Sequence, residues 1–419
     1  MAWFDKRKHS PTVSGDGIKR HRAKRNSSLL ISHKKDKGLI EENEASLLIL
    51  QSRPDAFFAV IYALLLALGA VLSFSAGSAY AEEAYGSGFH FVMNHAKHLA
   101  VGLVASAFIF FFSQPRLMRM LSVLFYGGSI VLLIAVLFIG VKGGGAQRWL
   151  DLGFFTLQPS ELAKTGIILL MALYLTRHDK AVTSKGFNKY SFVHGFFVPS
   201  LIFILVCVLV LLEDHFSGTI IIGAIGFGML FLGGTNWRWF LSIIPFGGII
   251  VALIFSTDYA KQRVMSFLDK GSNSLTNNWQ STQGLYAIGS GGLFGVGLGE
   301  SSLKYGYVSQ PQNDFVFTII CEELGFFGAA TILLLFFALV ARGVLLGSRA
   351  PDKFTSLVIY GLTFKLAIHV FLNVGVVSGM LPNTGISLPF FSSGGSATIS
   401  QMIDMGIILG LSRFCTQKK

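Results

Sequence analysis

The chain has 419 residues, 52% of them hydrophobic and 13% charged, with a mean hydropathy of +0.60. That composition excludes a soluble globular protein of this length, and the 39 phenylalanines fit a chain whose solvent is largely hydrocarbon. The net charge of +12 is concentrated in the first residues and in alternate loops, which points to membrane topology rather than to a nucleic-acid partner.

Residues 1–50 are polar, basic and Ser-rich, and carry Lys6, Arg7, Lys8, Lys19, Arg20, Arg22, Lys24 and Arg25. They read as a disordered cytoplasmic tail lying against anionic headgroups. The first apolar run starts too late and is too long for a cleavable signal peptide. Ten apolar runs follow, at 55–77, 95–113, 118–141, 160–175, 192–212, 218–234, 237–256, 314–341, 355–381 and 386–411. As helices they suit a hydrocarbon core of about 30 Å. The expected fold is all-α and polytopic, with about ten transmembrane helices in residues 51–413 and a short cytoplasmic tail at 414–419.

Lysine and arginine recur in every second loop: Arg116 and Arg119, then Arg177, Lys180, Lys185 and Lys189, then Arg238, then Arg342, Arg349 and Lys353, and finally Arg413. The intervening loops hold Glu82, Glu83, Glu213 and Asp214 instead. Both termini are therefore expected in the cytoplasm. Cys207, Cys321 and Cys415 fall in expected helices or the tail and imply no disulfide.

Two outer segments are more elaborate than connectors. In residues 142–164 three glycines free the backbone, and Arg148 and Trp149 set a cation beside an interfacial aromatic. Pro159-Ser160-Glu161 then looks like a helix start, and Glu161 and Lys164 share one face. They read either as a surface ion pair with a first-turn acid or as a ligand site below the outer headgroups. The loop 257–313 is the longest connection, outside by the topology count and too apolar to be disordered. Its glycines lack the strand and the Gly-Lys-Ser/Thr of a nucleotide cradle, and fit an amphipathic helix with tight turns on the outer leaflet.

Asp314 ends that loop at the threshold of the run Phe315–Ala341. An ionisable group where lipid meets water is a functional-site candidate; an ordinary helix cap by Asn313 or Asp314 is the alternative. A third polar group gathers at the outer ends of the last two runs, with Asn373, then Pro382 to Pro389, then Ser392, Ser393, Gly394, Gly395 and Ser396. Within lipid, such breaks face protein or a wet cavity. Deeper still, Lys365 and Asp404 sit at similar depths on antiparallel neighbours and are expected to pair, or to meet a polar neighbour such as His369.

Together these segments resemble the SEDS proteins (FtsW, RodA and SpoVE). The resemblance rests on Ala146-Gln-Arg-Trp-Leu-Asp-Leu-Gly153, Leu157-Gln-Pro-Ser-Glu-Leu-Ala-Lys164, Asn313-Asp-Phe-Val-Phe317 with Glu322-Glu-Leu-Gly325, and Leu381-Pro-Asn-Thr-Gly-Ile-Ser-Leu-Pro389 with Ser393-Gly-Gly-Ser396. It covers roughly residues 55–413 and leans towards the division and sporulation members. It implies a peptidoglycan glycosyltransferase that polymerises lipid II at the outer leaflet beside a class B penicillin-binding transpeptidase. It also implies catalysis by Asp314. The family's arginine, glutamate and lysine fall on Arg148, Glu161 and Lys164. Trp149, Gln158 and Ser160 are further candidate substrate contacts, and Asn373, Pro382, Pro389, Ser393, Gly394, Gly395 and Ser396 read either as substrate contacts or as a kinked re-entrant turn. Gln310 stands where the family commonly has an acid, His369 where it has a glutamine, and Asp214-His-Phe-Ser-Gly218 where it has Pro-Asp-x-Gly.

Asp314 is the expected base and Arg148 and Lys164 the expected cations for a departing pyrophosphate. No cofactor is required; a divalent cation is compatible, although no ligand spacing demands one. A lipid II flippase and a non-catalytic scaffold are the competing readings, and Lys365 with Asp404 are the features that favour transport.

Overall fold

The structure is a computed structural model that describes residues 53–143, 146–153, 156–184, 186, 188–241, 279–308 and 311–415. The chain divides into Met1–Gln51 and Ser52–Lys419, and the description covers only the second. The expected basic tail, most of the run at 237–256, the loop at 257–278, Gln310 and the last four residues lie outside the described residues.

The fold is predominantly helical. Helix α1 (Ala56–Tyr85) starts where Asp55 accepts a hydrogen bond from the Phe58 N–H at 2.8 Å, an ordinary side-chain cap. Helix α2 (His90–Phe112) precedes α3 (Pro115–Ile139), which opens on a proline that has no N–H to leave unsatisfied. A small antiparallel sheet follows: β1 (Val141–Gly143), β2 (Ala146–Asp151) and β3 (Thr156–Leu157), with Val141 opposite Trp149 and Leu150 opposite Leu157. The all-α expectation missed it, because strands of three, six and two residues beside glycines carry no periodicity long enough to read.

Next come α4 (Pro159–Arg177), the short α5 (Asp179–Val182), α6 (Lys189–Leu212), which contains a π-helical turn at Val193–Phe197, α7 (Phe216–Gly233) and the short α8 (Trp237–Leu241). Helix α9 (Trp279–Ser290) lies within the long connection at 257–313, and α10 (Val316–Ser348), α11 (Lys353–Val377) and α12 (Gly395–Ser412) follow it.

Among the described residues, seven helices are long and apolar enough to cross a membrane: α1, α2, α3, α6, α7, α10 and α11. Helices α4 and α12 are not among them, and they hold Glu161, Lys164 and Asp404. Both bury most of their residues, and α4 packs on α3, α6, α7, α11 and α12. A polar helix is admissible in hydrocarbon when its neighbours, not lipid, surround it. Close approach makes this possible: α12 lies against α2 so tightly that a Cβ on Gly406 would sit 2.5 Å from the Ser106 carbonyl oxygen.

Two expected helix starts shift. Helix α10 begins at Val316 with Phe315 in the cap position and no side-chain cap, so neither Asn313 nor Asp314 caps it. The run at 386–411 is helical only from Gly395. Before that, Pro389 removes a donor, Phe390 takes a left-handed conformation (φ 69°), and the Ser392 hydroxyl oxygen accepts the Leu388 N–H at 2.8 Å.

At the ends that carry most of the basic residues, ion pairs tie helix to helix. Arg342 makes a bidentate pair with Asp55, Arg119 meets Asp352 at 2.6 Å, and Lys353 reaches Asp179. Burial would raise the Asp55 pKa, yet the hydrogen bonds from Arg342 and Phe58 hold it below the usual carboxylate value.

Candidate functional site

Asp314 is half-buried two residues before α10, and its main chain is held from two sides. Asn373 of α11 donates through Nδ2 to the Asp314 carbonyl at 2.8 Å and to the Ile386 carbonyl at 2.7 Å. The Ser392 hydroxyl donates to the Asn313 carbonyl, and Ser393 donates to Asn313 Oδ1 at 2.6 Å. The Ser393 N–H reaches the Gln312 carbonyl at 2.9 Å. Gly385 closes the far side, where an added Cβ would lie 3.3 Å from Asp314 Oδ2. The irregular stretch from Pro382 to Gly394 is thus the seat of the carboxylate, and its prolines keep it from becoming helix.

One turn below Asn373 on α11 lies a buried polar network. Lys164 Nζ donates to Glu161 Oε1 at 2.6 Å and contacts His369 Nε2 at 3.1 Å. The Glu161–Lys164 pair is therefore internal, not a surface pair. Deeper, Lys365 meets Asp404 at 2.7 Å with both side chains 0% exposed. Lys365 also donates to the hydroxyls of Thr165 and Ser400, each at 3.1 Å, and Thr165 donates to Asp404 at 2.7 Å. The Ser400 hydroxyl in turn donates to the Glu161 carbonyl at 3.0 Å, which joins the two ion pairs.

The third group forms at β2 and the turn between α6 and α7. Arg148 Nη2 donates to the Asp214 carbonyl at 2.7 Å, and Asp214 takes a left-handed φ of 54° to present it. Trp149 follows on the same strand, half-buried. Gln158 caps α4 in position; its N–H donates to the Ser396 hydroxyl at 3.0 Å, and its amide lies 3.4 Å from the His215 ring. Ser160 is fully buried beside it.

Burial lowers the His215 pKa to about 3, and the Arg148 and Lys164 charges push the same way while Glu161 opposes them. This electrostatic reach ties the Arg148 group to the Glu161–Lys164 group. Glu213 is 2% exposed and burial pushes its pKa up to about 8 against the pull of Arg148. The Ser217 hydroxyl donates to the Thr384 carbonyl, next to the Gly385 that faces Asp314. The three groups are thus linked through Asn373 and His369 on α11 and through His215 and Ser217 at the start of α7. Among the described residues, no three His, Cys, Asp or Glu side chains converge as metal ligands.

A model of the FtsW, RodA and SpoVE proteins, described as a cell cycle protein family, matches residues 55–417. The chain belongs to that family. It is 34% identical to the stage V sporulation protein E of Bacillus subtilis over 371 residues, 87% of this chain and 98% of the relative. It is 37% identical to the probable peptidoglycan glycosyltransferase FtsW of Aromatoleum aromaticum, over 82% of this chain and 84% of that one. A solved structure, "Structural coordination of polymerization and crosslinking by a peptidoglycan synthase complex", contains a chain with a TM-score of 0.71 and 28% identity, over 87% of this chain and 99% of that one. The rod shape determining protein RodA of Thermus thermophilus matches with a TM-score of 0.64 and 28% identity, over 87% and 98% of the two chains.

In this family member the Glu322-Glu-Leu-Gly325 motif clamps the loop that precedes α10. Glu322 accepts from the Ser301 hydroxyl at 2.5 Å and the Ser302 N–H at 3.1 Å, and Glu323 accepts from Ser75 at 2.6 Å and Lys304 at 3.1 Å. Gly325 breaks α10 with φ 67°, and residues 292–297 hydrogen-bond across the break. Sequence reading missed the roles of Gln312, Glu213, His215 and Ser217 in the site. Gln312, His215 and Ser217 follow no helical spacing, and Glu213 read as an ordinary loop acid.

Proposed function

We propose that the chain is an inverting peptidoglycan glycosyltransferase that polymerises lipid II at the outer face of a bacterial cell membrane. The observation that carries this reading is that one face of α11 reaches both the candidate base and a candidate cation: Asn373 holds the Asp314 main chain, and His369, one turn away, contacts Lys164. The polytopic fold, the family membership and the named relatives support it. The basic residues at one end of the helices support ten crossings with both termini in the cytoplasm, residues 1–50 and 414–419 forming the tails.

In the proposed reaction the Asp314 carboxylate takes the proton from a hydroxyl of the acceptor sugar as that oxygen attacks the anomeric carbon of the donor. The new C–O bond forms on one face while the bond to the lipid pyrophosphate breaks on the other, and its electron pair leaves with the pyrophosphate. Arg148 and Lys164 offset the growing negative charge, where the partly dry setting makes each cation effective. Gln158, Ser160, Ser393 and Ser396 supply hydroxyl and amide groups to the sugar and phosphate oxygens, and the Gly394–Gly395 pair lets backbone approach. Trp149, Pro382 and Pro389 shape the walls. An apolar groove of about 740 Å³, lined by Phe317, Cys321 and Leu333 of α10 and by Ile288 of α9, suits a polyprenyl tail.

A class B penicillin-binding transpeptidase is the proposed partner, in keeping with the synthase complex among the structural matches. The test is purified protein, with and without its transpeptidase, given labelled lipid II and scored for polymer in the presence of moenomycin. Polymer from the native protein and none from Asp314→Ala, with folding and partner binding intact, is the expected result. Substantial polymer from the variant removes Asp314 from the mechanism.

A further inference from the structure

His369 stands on α11 one turn from Asn373 and one turn from Lys365, and is 4% exposed. Its two ring nitrogens have opposite duties. Nδ1 lies 2.7 Å from the Lys365 carbonyl oxygen, and a carbonyl only accepts, so Nδ1 carries the proton. Nε2 is then a bare lone pair, 3.1 Å from Lys164 Nζ, and the ammonium donates to it. Lys164 thus has fixed acceptors on two helices, Glu161 Oε1 on its own and His369 Nε2 on α11. An ammonium has three donors, so this leaves one N–H, in a direction set by the other two.

We propose that His369, locked in its Nδ1–H tautomer, is a positioning residue that aims the third N–H of Lys164 at the departing pyrophosphate, and that protonating the ring disarms the site. The inference rests on the role given to Lys164 above. The charged groups facing the ring are Lys164 and Glu161 from α4 and Lys365 from its own helix, with Asp404 of α12 beyond Lys365. An imidazolium would turn an N–H against the ammonium where a lone pair had been, putting two donors and two positive charges face to face. A glutamine at this position keeps an acceptor oxygen for Lys164 and cannot titrate.

The experiment measures lipid II polymerisation by the full-length protein with its transpeptidase partner as a function of pH, for the native chain, H369Q, H369A and K164A. H369A should lose tenfold or more in kcat with KM little changed, roughly the effect of misaiming a reacting group. H369Q should stay within about threefold of native at neutral pH, since an acceptor is retained. The native rate should fall on acidification through a limb that H369Q lacks. Every other titratable group is common to the two proteins, so the difference isolates the ring. Identical acid limbs in native and H369Q, or native kcat in H369A, overturn the proposal. A fully active K164A overturns the underlying role of Lys164 instead. A merely structural His369 would shift the thermal midpoint of H369Q and leave its acid limb as in the native protein.

Discussion

Asn373 Nδ2 is bonded to the carbonyl oxygen of Asp314 at 2.8 Å, so a helix from deep in the bundle holds the main chain of the candidate base. The same nitrogen reaches the Ile386 carbonyl at 2.7 Å and so joins the loop before α10 to the stretch before α12. Asn373→Ala leaves both carbonyls without this donor, at a cost of about 1–3 kcal/mol for each buried group left unsatisfied. The expected outcome is a lowered thermal midpoint in detergent and a loss of polymerisation larger than the lost folded fraction explains. Native activity in a folded variant would show that this bond does not place Asp314.

The Lys365–Asp404 pair is sealed from solvent and cross-bonded by Thr165 and Ser400. Removing either partner alone strands a buried charge and should cost about 3–5 kcal/mol. Lys365→Met combined with Asp404→Leu removes both charges and should recover most of that loss, measured as thermal unfolding across the double-mutant cycle. If the pair is structural, the double variant still polymerises lipid II. A transporter working through this pair would lose its function in that variant.

Glu213 gives the fold a pH dependence of known sign. Its pKa of about 8 lies above the ordinary carboxylate value of 4.5 because burial disfavours the anion. The folded state therefore binds more protons than the unfolded one between those values, and the contribution is full at low pH and fades as pH rises through about 8. Glu213→Gln should flatten the fall in thermal midpoint between pH 5 and pH 8, a window set by roughly those two pKa values. An unchanged slope would mean that the carboxylate is solvated.

Gly325 sits in α10 at φ 67°, where a Cβ would lie 2.3 Å from the Gly295 N and 2.7 Å from the Leu293 carbonyl. Gly325→Ala combines backbone strain with a main-chain clash, and the loop segment 292–297 must leave the break. The expected outcome is faster proteolysis of the outer loop and a loss of polymerisation.

Much of the helical plan was legible in the chain because lipid demands unbroken apolar segments, and nothing else in a sequence looks like them. The Lys365–Asp404 pair was legible for a related reason, since two charges at equal depth on neighbouring helices have few alternatives to each other. The small sheet at 141–157 was not, and neither was the uncapped start of α10 at Val316. Both depend on backbone geometry among glycines and prolines, which composition leaves open.

By itself the sequence determined a polytopic helical membrane protein and the ion-pair spacing of Glu161 and Lys164, and it singled out Asp314 at the edge of an apolar run. Only the tertiary structure decided what those groups face. It put His369 against Lys164, His215 against Gln158 and Asn373 against Asp314, across separations of 205, 57 and 59 residues. Hydropathy and periodicity describe a segment's relation to its solvent, while such contacts depend on how helices rotate and pack against one another.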